Sequence, residues 1–259
     1  MMNQGQVVFT KQDRVGYITF NRPDARNAMT WQMYEELGEI CRTVAADGDM
    51  RAVVLKGAGG QAFIAGSDIS QFAQFSDGSD GIAYERKMEH YLSLLLDIPV
   101  PTIAVIEGFA VGGGLNIAAC CDIRIAEKGA RLGVPIARTI GNTLSIHNYA
   151  RLVAAFGEGR ARRMLMLGEL LDGEEALSCG FLSRLVEPQD LNEATAKLVA
   201  RLLENAPLTL KASKKAIRRV LDADLDEAED LVALCYGSQD FQLGVAAFTA
   251  KQKPAWTGR

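Results

Sequence analysis

Two segments of the chain share one local design: a short apolar run, a glycine-containing turn and then the start of a helix. They are residues 63–69 and residues 108–114. The first turn of a helix leaves backbone N–H groups without intrahelical partners, and the aligned peptide dipoles favour negative charge there. Glycine lacks a Cβ, so a ligand can approach the backbone closely. Two such turns on successive strand–helix units can direct two N–H groups at one oxygen, which is the arrangement of an oxyanion hole.

Each turn also has a structural explanation, because glycine is required wherever a helix packs tightly on a strand. A nucleotide-binding loop is a weaker interpretation. Residues 112–114 are three consecutive glycines without Gly-x-Gly-x-x-Gly spacing, and no Gly-Lys-Ser/Thr follows either turn.

Strands and helices alternate through roughly the first 125 residues, which predicts an α/β fold with parallel strand pairing. A helix is predicted directly after Thr30, which is a suitable N-cap, and another is predicted over 84–96. From Asn142 onward the pattern is almost wholly helical. We expect Asn142 to cap a helix over 143–156.

Composition excludes several classes of protein. Hydrophobic residues make up 48% of the chain and the net charge is −4, which argues against disorder and against nucleic acid as a partner. Five cysteines without Cys-x-x-Cys spacing indicate reduced thiols and a cytoplasmic location, and two histidines make a metal site improbable. The first ten residues lack the apolar core of a secretory signal. No apolar run approaches the roughly 20 residues of a membrane helix, so we expect no membrane partner.

Four motifs occur in the order and at the separations of one known family. They are residues 21–23 with Asn27 and Ala28, residues 63–69, residues 108–114 and residues 121–123. The chain therefore resembles the enoyl-CoA hydratase/isomerase (crotonase) family over nearly its whole length. The resemblance implies a crotonase-like spiral of ββα units over 1–195 that carries an acyl-CoA site. It also implies a C-terminal helical trimerisation region over 196–259, and a homotrimer or a hexamer built as a dimer of trimers.

The resemblance also implies a set of site residues. The N–H groups of Ser67 and Gly113 would hold the thioester carbonyl oxygen of an acyl-CoA substrate and stabilise its enolate. Coenzyme A enters as part of the substrate, and no permanently bound cofactor is implied. The family pattern gives the CoA-binding residues: Arg22 and Arg26 beside the phosphates, Ala65, Asp68 and Ile69 along the CoA path, and Phe248 and Lys251 lent by a neighbouring subunit. A solvated surface charge is the alternative for each basic residue.

The sequence departs from the family pattern at both positions where its hydratases carry a glutamate. Asn116 stands two residues after the glycine triplet, and Ile136 directly follows Gly-x-Pro. Addition of water needs one group that activates the water and one that delivers a proton. Isoleucine can do neither, and an amide has no usable pKa, although Asn116 can hydrogen-bond a water or a substrate. We therefore expect ordinary hydratase activity to be poor.

Arg138 is the most suggestive side chain after these positions. A cation there can pair with a carboxylate on the acyl group, as in a malonyl-type thioester, and the alternative is a salt bridge at a subunit contact. Packing is the favoured explanation of His90 and His147, with titration of His147 near neutral pH as the alternative. A carboxylate in the first turn of a helix is the favoured explanation of Asp68, with a catalytic base as the alternative.

Three hypotheses of function stay open. The first is an enzyme, a lyase or isomerase, that processes acyl-CoA through an enolate. The second is a decarboxylase or hydrolase of the same family, because decarboxylation of a malonyl-type thioester needs mainly a stabilised oxyanion. The third is a CoA-thioester-binding protein without catalysis. Asn116 and Arg138 facing the acyl carbon would favour an enzyme, whereas Arg138 at a subunit interface would favour binding.

Overall fold

The computed structural model describes residues 5–205, 207–221, 233, 236–252 and 254. The described residues form ten strands. In chain order these are β1 (Gln6–Gln12), β2 (Val15–Asn21), β3 (Ala52–Gly57), β4 (Ala62–Ile64), β5 (Thr102–Ile106), β6 (Phe109–Val111), β7 (Ile123–Glu127), β8 (Arg131–Gly133), β9 (Leu171–Asp172) and β10 (Arg184–Val186).

Ten α-helices are bounded within the same residues, with short 3-10 helices at Pro23–Ala25, Ile69–Gln74 and Pro188–Asp190 and a π-helix at Arg163–Leu167. The α-helices are α1 (Trp31–Ala46), α2 (Gly78–Leu96), α3 (Gly113–Cys120), α4 (Ile136–Thr139), α5 (Ile146–Phe156), α6 (Glu158–Arg162), α7 (Gly173–Ser178), α8 (Leu191–Glu204), α9 (Pro207–Leu221) and α10 (Gln239–Thr249).

The strands form two sheets, one in the order β1-β2-β3-β5-β7-β10 and one in the order β4-β6-β8-β9. Successive units place one strand in each sheet before a helix: β3 and β4 precede α2, β5 and β6 precede α3, and β7 and β8 precede α4. Pairing is parallel except between β1 and β2 and between β8 and β9. The predicted α/β spiral of ββα units is therefore confirmed.

Alternation along β3 divides the core into two layers. Val53 and Leu55 point into the main core beneath α1 to α3, whereas Ala52 and Val54 point to the other face of the sheet, where α8 packs. A strand buried on both faces reads as a continuous apolar run, which is why this segment was predictable. The predicted boundary between residues 195 and 196 falls inside α8, both ends of which pack on the sheet.

The helix predicted after Thr30 is confirmed, since Thr30 Oγ1 accepts a hydrogen bond from Met33 N (3.2 Å). Two other predicted starts are wrong. The helix expected over 84–96 begins earlier, at Gly78, where Asp77 and Asp80 form a capping box. The helix expected at Thr143 begins at Ile146, because the hydroxyl of Ser145 caps it instead of Asn142.

The last described helix lies across its own chain. Gly244 of α10 touches α4 so closely that a Cβ there would overlap the carbonyl of Ile140. Phe241 and Val245 join Phe72, Ile140 and Tyr236 in a separate apolar cluster. Of the predicted trimerisation region over 196–259, residues 206, 222–232, 234–235, 253 and 255–259 lie outside the described residues.

Candidate active site

A cavity of about 820 Å³ lies beneath the two glycine turns, between α2, α4 and the end of α10. Most of the residues predicted for the site line it. They are Arg22, Arg26, Ala65, Ser67, Asp68, Ile69, Gly113, Asn116, Phe248 and Lys251. The chain therefore brings residues from both of its ends and from both turns to one place.

The two turns touch each other. Gly66 (φ +113°) and Gly112 (φ +56°) occupy backbone conformations that favour glycine, and a Cβ on Gly112 would lie 3.7 Å from Gly66 Cα. A Cβ on Gly113 would lie 3.8 Å from Ser67 N, so the backbone of Ser67 lies close to the start of α3. Neither Ser67 N nor Gly113 N donates a hydrogen bond to a group in the described part of the chain.

The first turn is held by pairing with Met29, whose N–H donates to Gly66 O and whose carbonyl accepts from Asp68 N, both at 2.8 Å. These two bonds flank Ser67 and leave its own amide directed away from Met29. The Ser67 hydroxyl is within 2.9 Å of Tyr34 OH and 3.0 Å of Tyr84 OH. Burial raises the pKa of Tyr34 to about 12 and also raises the pKa of Tyr84, so both phenols stay protonated at neutral pH.

One end of the cavity carries the predicted cations. Arg22 is buried and pairs with Asp68 (Nη1 to Oδ2, 2.8 Å). Burial raises the pKa of the Asp68 carboxyl, but the hydrogen bonds from Ser70 and the pairing with Arg22 outweigh it and leave the pKa lowered. Arg26 is exposed, with its guanidinium 5.4 Å from the centre of the Phe109 ring. At this end Arg26 can meet an anion directly, whereas the charge of Arg22 is already balanced.

Phe248 and Lys251 line the cavity of their own chain. The resemblance implied that a neighbouring subunit lends them, and the single chain places its own copies of both residues at its own cavity. The reason is the course of α10, which the Gly244–Ile140 contact and the cluster around Phe241 hold against α4. Phe248 is 49% exposed, which leaves its ring available to a ligand.

The positions of the missing glutamates differ in character. Asn116 is 3% exposed, and its Oδ1 is buried without a hydrogen-bond partner. An orphaned buried carbonyl oxygen in a cavity wall is suited to a donor on a ligand or water. Ile136 lines the cavity with an apolar surface. Arg138 is not among the lining residues: it is exposed on α4, and its side chain packs beside Gly168. The structure therefore does not bring Arg138 to the site.

Sequence reasoning missed a carboxylate in the cavity wall. Glu85 on α2 is 4% exposed and lines the cavity, where it accepts hydrogen bonds from Tyr236 OH (2.9 Å) and Ser145 N (2.8 Å). Glu85 falls in helical phase with the buried residues Met88, Leu92 and Leu95. An acidic residue on the apolar face of a predicted helix was the signal that could have revealed it.

Burial raises the pKa of Glu85 to about 7 from its ordinary value of 4.5, and the nearby Glu89 adds to the rise. The hydrogen bonds from Tyr236 and Ser145 N act in the opposite direction. The folded protein thus favours the neutral carboxyl. The contribution of Glu85 to the free energy of unfolding is fully present below its pKa in the unfolded chain. It is lost as the pH rises through its pKa in the folded protein.

We predict that the free energy of unfolding of the wild type falls by about 2 to 3 kcal/mol between pH 5 and pH 8, relative to Glu85→Gln. Gln carries no charge to bury, so its stability lacks this component. Urea unfolding at both pH values measures the difference. Glu174→Gln, on the exposed surface of α7, controls for the loss of a carboxylate elsewhere. Parallel pH dependence in wild type and Glu85→Gln would contradict the prediction.

The described residues contain no group of three or more histidine, cysteine, aspartate or glutamate side chains placed to hold a metal ion. No helix among them is long and apolar enough to cross a bilayer.

Two sheets joined by ββα units, with a cavity beneath two glycine turns, define a protein of the crotonase fold. The crystal structure of an enoyl-CoA hydratase/carnithine racemase from Magnetospirillum magneticum matches 98% of this chain and 96% of its own, with a TM-score of 0.80 and 33% identity. A methylmalonyl-CoA decarboxylase in complex with 2-nitronate-propionyl-CoA matches 98% of each chain with a TM-score of 0.88. Its 22% identity supports likeness of fold alone.

Sequence comparison identifies the family. The short-chain-enoyl-CoA hydratase of Clostridium acetobutylicum is 33% identical over 258 residues, which cover 97% of each chain. The profile of the enoyl-CoA hydratase/isomerase family matches residues 10–259. The chain therefore belongs to the enoyl-CoA hydratase/isomerase family.

Proposed function

We propose that the protein is an acyl-CoA-processing enzyme that stabilises the enolate of a thioester through the N–H groups of Ser67 and Gly113. One observation carries the proposal. The two amides belong to adjoining glycine turns that line one cavity, and neither donates to an acceptor among the described residues. An oxygen between them would accept two hydrogen bonds away from bulk water, and each such donor contributes roughly 3–4 kcal/mol in the best-studied case.

The exposed part of the cavity lining suits the CoA portion of the substrate. Arg26 and Lys251 are exposed cations in that lining, and Phe248 adds an exposed apolar ring. Arg22 and Asp68 form a buried pair that fixes the wall along which Ala65 and Ile69 lie. Coenzyme A is thereby bound as part of the substrate, and the proposed reaction needs no resident cofactor.

Ordinary hydration is expected to be weak. We predict that crotonyl-CoA is hydrated roughly 10²–10⁴-fold more slowly than by a family hydratase with both glutamates, because general acid–base catalysis contributes that much. Loss of the conjugated double bond, followed by absorbance, measures the rate. The double substitution Asn116→Glu with Ile136→Glu should raise it. Wild-type hydration at the rate of the two-glutamate enzyme would refute our interpretation of Asn116 and Ile136.

A panel of enoyl-, malonyl-, methylmalonyl- and aromatic acyl-CoA thioesters, analysed by mass spectrometry, tests the proposed function itself. Turnover of any member through the carbon next to the carbonyl supports it. Binding of the whole panel without turnover would support a CoA-thioester-binding protein instead. Absence of binding would reject both.

Arg138 lies on the outer side of α4, which weakens the case for a malonyl-type substrate. Arg138 was the cation that we had assigned to the carboxylate of such a substrate. Decarboxylation and hydrolysis remain alternatives that the panel separates by their products. Assembly into trimers or hexamers and a cytoplasmic location are part of the proposal.

A further inference from the structure

The deep wall of the cavity carries a carboxylate that the proposed function has not used. Glu85 is buried, and no cation pairs with it in the described part of the chain. Glu89, one turn later on the same helix, is by contrast paired with Arg151. Burying a carboxylate without a cation reduces the stability of the fold. A structural role alone therefore does not explain why Glu85 is present.

The surroundings of Glu85 fix its orientation. Gly81 lies one helical turn earlier, and a Cβ there would overlap the ring of Tyr236. The missing Cβ lets that ring lie directly on α2, from where its hydroxyl reaches Glu85 Oε1 at 2.9 Å. Asn142 Nδ2 in turn donates to the Tyr236 hydroxyl at 3.2 Å. With Ser145 N on Oε2, each oxygen of Glu85 has one donor and keeps a further lone pair for another.

The wall that holds Glu85 is connected to the amide pair. Tyr84, the preceding residue, bonds through its hydroxyl to Ser67 Oγ at 3.0 Å, and Ser67 supplies one of the two amides. Two other acidic residues line the cavity: Asp24 is exposed, and Asp68, which follows Ser67 in the sequence, is paired with Arg22. Among the described lining residues Glu85 is therefore the buried carboxylate without a cation.

We propose that Glu85 is the catalytic base of this site, which removes a proton from the carbon next to the thioester carbonyl and returns it. The inference rests on the proposed function, because the resulting enolate needs the amides of Ser67 and Gly113. It places the proton-transfer group on α2, on a different element from Asn116 and Ile136.

The step balances without another reactant. The C–H bond breaks, an O–H bond forms on Glu85, and the electron pair moves onto the carbonyl oxygen. When the proton on Glu85 exchanges with solvent before it returns to the same carbon, that carbon acquires a solvent hydrogen. In a β,γ-unsaturated acyl group, return to the γ-carbon shifts the double bond. The aromatic and apolar side chains around Glu85 favour apolar acyl groups with an activated α-hydrogen: Tyr34, Phe72, Tyr84, Met88 and Leu92.

A pKa of about 7 supports this role, since a base is most effective when its pKa is near the working pH. Ionisable groups face Glu85 from each of the elements that pack around it. Tyr84 and Glu89 lie on α2, Tyr34 on α1, Arg151 on α5, and Tyr236 precedes α10. The three buried tyrosines have raised pKa values and stay protonated near neutral pH, where the carboxyl of Glu85 changes protonation.

The test is exchange of the α-hydrogen in D₂O, measured by mass spectrometry with but-3-enoyl-CoA and phenylacetyl-CoA. We expect the wild type to incorporate deuterium and Glu85→Gln to do so roughly 10²–10⁴-fold more slowly. Glu85→Asp, which keeps a carboxylate one methylene shorter, should recover part of the rate. Thioester affinity, measured by calorimetry, should stay within a few-fold of the wild type in both variants, which also verifies folding.

Tyr236→Phe distinguishes a positioned base from a packing residue. Because the Tyr236 hydroxyl lowers the pKa of Glu85, its removal should shift the pH profile of exchange to higher pH. A uniform loss of rate without such a shift would count against the assignment.

Exchange by Glu85→Gln at the wild-type rate overturns the role of Glu85, and loss of that exchange in the Gly113 variant described below would leave the proposed function standing. No exchange by a wild type that binds both probes also overturns the role of Glu85, and turnover of another member of the thioester panel would then leave the proposed function standing. Failure of the wild type to bind either thioester would instead reject the proposed function.

Discussion

Gly113→Pro is expected to lower turnover of any thioester that the protein processes by roughly 10²–10³-fold relative to Gly113→Ala. Proline removes the N–H that we assign to the enolate oxygen. Gly113 is the first residue of α3, where proline is well tolerated because its N–H has no partner within the helix. A loss of rate at unchanged thioester affinity would therefore report the missing donor and not a broken helix or a site blocked by the proline ring.

Alanine is the matched control because it adds the same Cβ and keeps the N–H. A Cβ at Gly113 would lie 2.5 Å from the Tyr34 hydroxyl, so both variants should be made together with Tyr34→Phe. Ser67 Oγ still has Tyr84 OH as a partner in that background. Single-turnover rates and thioester affinities are measured for the pair. Equal rates at equal affinity would remove the amide of Gly113 from the mechanism.

Asn27→Ala is expected to destabilise the fold by about 3 to 5 kcal/mol. Asn27 is fully buried, accepts from Arg22 N (2.9 Å), and donates to Ala58 O (2.9 Å) and Ala62 O (2.8 Å). Its removal leaves three main-chain groups without these partners. The residue also has a φ of +59°, which alanine adopts at a cost of roughly 1–2 kcal/mol.

Asn27→Gly separates these two causes, since glycine accepts the left-handed backbone but makes none of the three bonds. We expect it to lose about 1 kcal/mol less than Asn27→Ala. The free energy of unfolding in urea measures both variants. A loss below about 1 kcal/mol for Asn27→Ala would contradict the prediction that this side chain holds the loop before α1 to the start of β4.

The sequence predicted the framework of the site because its features are local. An apolar run, a glycine turn and a helix start occupy a few consecutive residues, and motif order then relates the two turns. Ser67, Gly113 and Asn116 accordingly line one cavity, as the resemblance implied. The course of α10 depends on close packing against Ile140, far away in the sequence, so its placement on its own chain was not foreseen.

Glu85 escaped prediction for a different reason. Its partner Tyr236 approaches only because Gly81 has no Cβ, and this fit between distant segments leaves no local motif. Arg138 illustrates the opposite error. A cation close in sequence to the missing glutamate looked suited to a substrate carboxylate, but one turn of α4 directs it to the outside. Helical phase, not proximity in sequence, decides which side chains face the cavity.

Arg26 near the beginning of the chain and Lys251 near its end stand at the rim of the same cavity. A bound molecule that touches both residues connects α10 to the loop before α1. A ligand that binds only when α10 is packed in place stabilises that packing by its binding free energy. The stability of α10 against local unfolding should therefore rise with substrate concentration.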